Sequence, residues 1–120
     1  MKKKVLIVDD DTEMLGLMEN TADSDRFECI SESRSDQCLK TAEEIKPDVI
    51  VLDLMMPKIS GYGILRELKK RPHLNLIPVI VVSNLRSDDI VREAMSLGAS
   101  GYFSKAEGIS QLFRVIQEYI

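Results

Sequence analysis

Three short runs of β-branched and aliphatic residues stand out along the chain: Val5–Val8, Val49–Leu52 and Val79–Val82. Each is apolar without alternation, the mark of strands buried on both faces in a parallel sheet covered by helices. Phe27–Ile30 and Gly101–Ser104 are weaker strand candidates. Between these runs apolar residues recur at spacings of three and four: Met14, Leu17, Met18 and Thr21; Leu39, Ala42 and Ile45; Ile64, Leu65 and Leu68. A fourth helix is predicted to start with Ser87 as N-cap, to turn Ile90, Val91, Ala94 and Met95 inward, and to stop at Gly98 in a left-handed conformation. A fifth carries Leu112, Val115, Ile116 and Tyr119 on one stripe. Five βα units in succession, with no linker, low-complexity segment or repeat between them, predict a doubly wound open α/β sheet forming one domain over residues 1–120.

Composition narrows the function more than the fold. A 120-residue chain with 44% hydrophobic and 30% charged residues can bury a real core and is too apolar for a disordered tail. Sixteen basic against twenty acidic residues leave a net charge of -4, which argues against a broad nucleic-acid surface or an anionic membrane as partner. Val5–Val8 is too short for a signal-peptide core and no later stretch reaches membrane-spanning length, so a cytoplasmic location is expected. Cys29 and Cys38 fit no zinc-site spacing and read as reduced, buried or half-buried thiols. His73, beside Pro72, reads as an exposed loop residue, and Met14, Met18, Met55, Met56 and Met95 as core filling and loop packing.

In doubly wound sheets ligands bind beyond the carboxyl ends of the strands. The residues there are Asp9, Asp10 and Asp11 after the first strand, Asp53 after the third, Ser83 after the fourth and Lys105 after the fifth. Carboxylates about 5 Å apart repel by roughly 3 kcal/mol at an effective dielectric of 20, so Asp9, Asp10 and Asp53 need protons or a cation. Oxygen ligands without Cys or His suit Mg2+, or Mn2+ in its place. On its own each acid could cap a helix, and Asp11 is expected to do only that. A metal beside a carboxylate, a hydroxyl and an ammonium also meets the needs of a phosphoryl group, with Asp53 the natural phosphoacceptor.

Four segments carry a resemblance: Val5-Leu-Ile-Val-Asp9-Asp10-Asp11; Val49-Ile-Val-Leu-Asp53-Leu-Met-Met-Pro57 running into Gly61; Val79-Ile-Val-Val-Ser83; and Gly98-Ala-Ser-Gly-Tyr-Phe-Ser-Lys105. Together, in this order and over the whole chain, they resemble the response-regulator receiver domain of two-component signalling. The resemblance implies a flavodoxin-like (βα)5 fold with strand order 2-1-3-4-5. It implies that Asp9 and Asp10 hold Mg2+, that the backbone carbonyl of Met55 completes the metal shell, and that Asp53 accepts a phosphoryl group from a histidine kinase or phosphotransfer protein. Ser83 and Lys105 would contact the phosphoryl oxygens, and Tyr102 would be an aromatic that swings inward. Two positions depart from the family pattern. Ala106 follows Lys105 where Pro is usual, so that loop is expected to be trans and reshaped or else strained, and Asn84 stands where a small residue is usual. Met55 and Leu85 flank the phosphoryl group by the same resemblance, and neither has a strong hydrogen-bonding group to hold a hydrolytic water, so a persistent phosphorylated state is expected.

Such a domain is a switch more than a catalyst. Phosphorylation would repack the face of the fourth helix, fifth strand and fifth helix, including Arg92, Glu93, Arg114 and Glu118, where a downstream partner or a second copy would dock. Two alternatives come from other classes. A haloacid-dehalogenase-type phosphohydrolase would use Asp9 and Asp11, but Glu13 stands where its motif requires Thr. A pseudo-receiver would bind protein without phosphate, which the intact acid set argues against.

Overall fold

In the computed structural model, which describes residues 2–56, 58–84 and 87–120, the three continuous apolar runs become the three inner strands of a parallel sheet. They are β1 (Lys3–Val8), β3 (Val49–Asp53) and β4 (Val79–Ser83), while the weaker candidates are the edges β2 (Phe27–Glu32) and β5 (Gly101–Ser104). The order is β2-β1-β3-β4-β5. Inner strands must be apolar on both faces, whereas an edge strand meets water along one side, which is why the edge runs were the fainter ones.

Helices α1 (Thr12–Thr21), α2 (Cys38–Ile45), α3 (Gly61–Lys70), α4 (Asp88–Ser96) and α5 (Ile109–Gln117) follow the strands in turn. Short 3₁₀ turns lie at Ser35–Gln37 and Lys105–Glu107. Alternation along the strands divides the core into two layers. Leu6, Val8, Ile50, Leu52 and Val81 pack with Ala42 of α2, Ile64, Leu65 and Leu68 of α3 and Ala94 of α4. Val5, Ile7, Val49, Val51, Ile80 and Val82 pack with Leu15 and Met18 of α1 and with Leu112, Phe113 and Ile116 of α5. Phe27 and Phe113 add a tilted aromatic pair with centroids 5.7 Å apart.

The helical stripes are mostly those the spacing predicts, with two corrections. Leu17 is 54% exposed and Thr21 is exposed too; α1 buries Met18 as expected but beside it Leu15, so the buried stripe is rotated from the predicted one. Met95 is 44% exposed, so α4 buries Ala94 and half-buries Ile90 and Val91. In both helices the apolar residue lost to solvent lies just beyond the arc that the sheet can cover. Met55 is also mostly exposed, so the methionines fill the core at Met18 but not throughout. Gly98 has a φ of 106° and ends the α4 segment as expected. His73 is exposed, and both cysteines are free, Cys38 buried and Cys29 half-buried. No helix among the described residues is long and apolar enough to cross a membrane.

Candidate metal and phosphoacceptor site

Parallel register brings the strand ends level: Val8 lies beside Leu52, Asp53 beside Val82, and Ser83 beside Ser104. Asp9, Asp53 and Ser83 therefore emerge along one edge of the sheet, and all three are buried. One carboxylate oxygen from each of Asp9, Asp10 and Asp53 lies within 4.8 Å of the others. Asp10 is exposed, so the cluster opens to solvent on its side. Asp11 turns away and caps α1, accepting from the N–H groups of Glu13 and Met14 at 3.1 and 3.3 Å.

Lys105 reaches into the cluster, its Nζ 2.7 Å from Asp9 Oδ2 and 3.5 Å from Asp53 Oδ2. Asp9 Oδ1 accepts the Asp11 N–H at 3.0 Å, and Asp53 Oδ1 accepts the Met55 N–H at 3.2 Å. Burial first, then the charge of Asp9, pushes the Asp53 carboxyl up from 3.8 to about 6, against the opposing pulls of Lys105 and the Met55 N–H. Burial works against the Lys105 ammonium, but its pairing with Asp9 and the charge of Asp53 outweigh it, and its pKa lies above the ordinary lysine value. Two buried carboxylates thus share one ammonium, and the site is left short of positive charge.

That shortfall is the test of whether a cation fits. Asp9 Oδ2 is fully buried and accepts no aligned hydrogen bond among the described residues, although the Lys105 charge lies close by. The ammonium binds that oxygen, but two buried carboxylates and the nearby Asp10 against a single ammonium remain costly unless a further cation joins them. Three hard oxygen donors, with no Cys or His among the clustered groups, match Mg2+ or Mn2+ in kind. The residues present fit a divalent cation.

The loops are shaped to serve this edge. A Cβ on Gly61 would sit 2.5 Å from the Asp53 carbonyl oxygen and from the Leu54 Cα, so only glycine lets α3 start hard against the end of β3. The Lys105–Ala106 peptide is trans. Ala106 instead enters the 3₁₀ turn, held by a capping box in which Ser104 Oγ accepts the Ala106 N–H at 3.4 Å and Glu107 accepts the Ser104 N–H at 3.3 Å. The Ser-x-x-Glu spacing from Ser104 to Glu107 is the sequence signal that marks this turn. Glu32 and Ser35 are also buried, with no motif in the sequence to mark them. Glu32 is held by the nearby Arg34 and Thr41, whereas Ser35 meets Ile59 across 24 residues, a crossing that no local pattern carries. Tyr102 is half-buried against the core layer that holds α3 and α4. Leu85 lies outside the described residues, and Asn84 is exposed at the end of β4.

A model of the response regulator receiver domain matches residues 5–117. The chain belongs to the response regulator receiver domain family. It is 34% identical over 118 residues to the response regulator GacA of Pseudomonas aeruginosa, covering 96% of this chain and 54% of that protein. It is 31% identical over 105 residues to the alkaline phosphatase synthesis transcriptional regulatory protein PhoP of Bacillus subtilis, covering 88% and 43%. This receiver domain therefore spans about half the length of the curated relatives it matches. Among solved structures, the chemotaxis protein CheY4 of Vibrio cholerae superposes over 100% of both chains with a TM-score of 0.92 at 22% identity, a likeness of fold. The BeF3-activated N-terminal receiver domain of RstA from Klebsiella pneumoniae matches 97% of both chains, with a TM-score of 0.88 at 25% identity. Receiver domains of this family are signalling modules of two-component systems and are generally not enzymes.

Proposed function

We propose that this receiver domain is a cytoplasmic, phosphorylation-dependent switch, folded as one unit over residues 1–120, in which Asp53 is the phosphoacceptor. The observation that carries the reading is the convergence of Asp9, Asp10 and Asp53 within 4.8 Å, with the half-buried Lys105 paired to Asp9 and Asp53. Asp9, Asp10, Asp53 and the backbone carbonyl of Met55 would hold Mg2+, or Mn2+. The ion would neutralise and orient the phosphoryl oxygens.

The remaining steps belong to the chain. An Asp53 carboxylate oxygen attacks the phosphorus of a phosphohistidine on a sensor kinase or phosphotransfer protein. The P–N bond breaks, and the electron pair stays with the imidazole nitrogen. The product is an acyl phosphate, a mixed anhydride. The Asp53 carboxylate charge that Lys105 faces at 3.5 Å is replaced by the phosphoryl charge, and the ammonium, still paired with Asp9, can turn from Asp53 to a phosphoryl oxygen. Ser83, at the neighbouring strand end, takes another. Drawing the end of β4 inward shifts α4, lets Tyr102 move inward, and changes the surface of α4, β5 and α5. Arg92, Glu93, Arg114 and Glu118 are exposed there and available to a downstream protein or a second copy. That output is a protein surface: the net charge of -4 argues against a broad nucleic-acid surface, and no helix among the described residues is long and apolar enough to cross a membrane. Met55, with no strong hydrogen-bonding group beside Asp53, favours a persistent phosphorylated state.

The phosphohydrolase alternative loses its support, since its second acid, Asp11, is spent on capping α1. Incubation with Mg2+ and acetyl phosphate tests the proposal directly. Mass spectrometry should locate one labile phosphate on Asp53. Label on another residue, label retained by Asp53→Ala, or steady turnover of p-nitrophenyl phosphate would overturn it.

A further inference from the structure

Strands deliver Asp9 and Asp53 directly, but Met55 lies two residues beyond β3, in the loop that leads to α3. That loop is fastened from an unexpected side. Ile59 donates its N–H to the Oγ of Ser35 at 3.3 Å, across 24 residues of sequence. Lys58 Nζ meets Asp36 Oδ2 at 3.5 Å. Ser35 is buried, and Lys58 takes a φ of 67°, a left-handed conformation that a lysine keeps only when its surroundings hold it.

The turn that bears Ser35 and Asp36 is itself anchored. Glu32, buried at the end of β2, accepts from the Arg34 N–H at 3.1 Å and from Thr41 Oγ1 at 3.0 Å. The Glu32 backbone carbonyl accepts the Asp9 N–H at 3.1 Å. The end of β2 thus bonds Asp9 directly, and the turn that Glu32 anchors reaches the loop that carries Met55. We propose that Ser35 and Asp36 are positioning residues: the turn between β2 and α2 is a strut that holds the β3–α3 loop where the Met55 carbonyl can share a divalent cation with Asp9, Asp10 and Asp53. This deepens the metal reading and rests on it. Ser35, being buried, carries the larger part; the exposed Asp36–Lys58 pair is screened by water and carries less.

The test is a Mg2+ titration of the full chain, followed by NMR, together with amide hydrogen exchange at Ile59 in metal-free buffer. Ser35→Ala should speed Ile59 exchange and weaken Mg2+ binding about fivefold, the worth of one ordinary buried hydrogen bond. Ser35→Thr, which keeps the hydroxyl, should stay near wild type. Tyr119→Phe also removes one hydrogen bond, to the Ser100 carbonyl at 3.0 Å at the far end of β5, and should leave Mg2+ affinity unchanged. Should Ser35→Ala fail to fold, Lys58→Glu serves in its place: it should weaken binding about twofold, and the pair Lys58→Glu with Asp36→Lys should restore it. Wild-type Mg2+ affinity in Ser35→Ala or in Lys58→Glu, with affinity lost in Asp10→Ala, overturns the strut and spares the metal site. Wild-type affinity in Asp10→Ala overturns the metal reading, and the strut's purpose with it.

Discussion

Helices α3 and α4 cover the same face of the sheet, yet they are held very differently. Four residues of α3 are buried, Gly61, Ile64, Leu65 and Leu68. In α4 the buried residue is Ala94, with Ile90 and Val91 half-covered and Met95 largely in water. At about 1.5–3 kcal/mol for each fully buried aliphatic side chain, α3 is tied down by several kcal/mol more than α4. The N-terminus of α3 also lies against the Asp53 and Leu54 backbone, and α4 starts on a local cap, Ser87 Oγ accepting the Ile90 N–H at 3.2 Å. The helix that follows β3 is a foundation, and the helix that follows β4 is lightly docked. A switch needs both: one part that keeps its acids in place and another that can move for a few kcal/mol.

The contrast can be broken by mutation. Leu65→Ala in α3 should cost about 2–5 kcal/mol in urea unfolding, whereas Ala94→Gly in α4 should cost about 1 kcal/mol. Equal costs would mean that α4 is as firmly seated as α3.

The foundation also bears an electrostatic load, which can be read through pH. Because the folded-state Asp53 pKa is raised from 3.8 to about 6, the folded protein binds the proton more tightly than the unfolded chain. Its contribution to stability is therefore complete below the unfolded value and is lost as pH rises through about 6, a change of about 3 kcal/mol. In metal-free buffer Asp53→Asn should be more stable than wild type at pH 7, and the advantage should shrink towards pH 4. Mg2+ should stabilise wild type more than the variant. A pH-independent difference would show that Asp53 carries no such load.

Amide exchange sharpens the comparison without mutation: the central turn of α4 should exchange at least about tenfold faster than that of α3, matching a gap of more than 1 kcal/mol in local opening. The smallest effect is expected at the caps. Ser87→Ala should cost about 1 kcal/mol and be felt mainly as faster exchange within α4. Ser60→Ala, at the start of α3, should lower global stability by a similar amount with little local opening, because packing keeps that helix down.

Much of this was legible along the chain. The runs at Val5–Val8, Val49–Leu52 and Val79–Val82 determined the inner strands, since only a strand covered on both faces has use for uninterrupted aliphatic residues. Once the βα alternation is recognised, the residue after each strand is bound to arrive at one edge, so Asp9, Asp10, Asp53 and Lys105 could be named in advance. Gly98 was legible as a helix stop, whereas the need for glycine at position 61, with the backbone of β3 pressed against it, was not.

Tertiary structure decided the rest. Helical spacing leaves the rotation of a stripe open by roughly a residue, and for α1 packing chose Leu15 over Leu17, just as it left Met95 of α4 in water. The pairing of Lys105 with Asp9 and Asp53, which holds the ammonium in its charged form and leaves two buried carboxylates sharing one cation, depends on distances of a few ångströms that composition cannot supply. The strut from Ser35 and Asp36 to Ile59 and Lys58 joins residues more than twenty positions apart in the chain. Local pattern records what a residue prefers for itself; which distant residue it meets is settled only when the sheet closes and the loops at its edge compete for the same space.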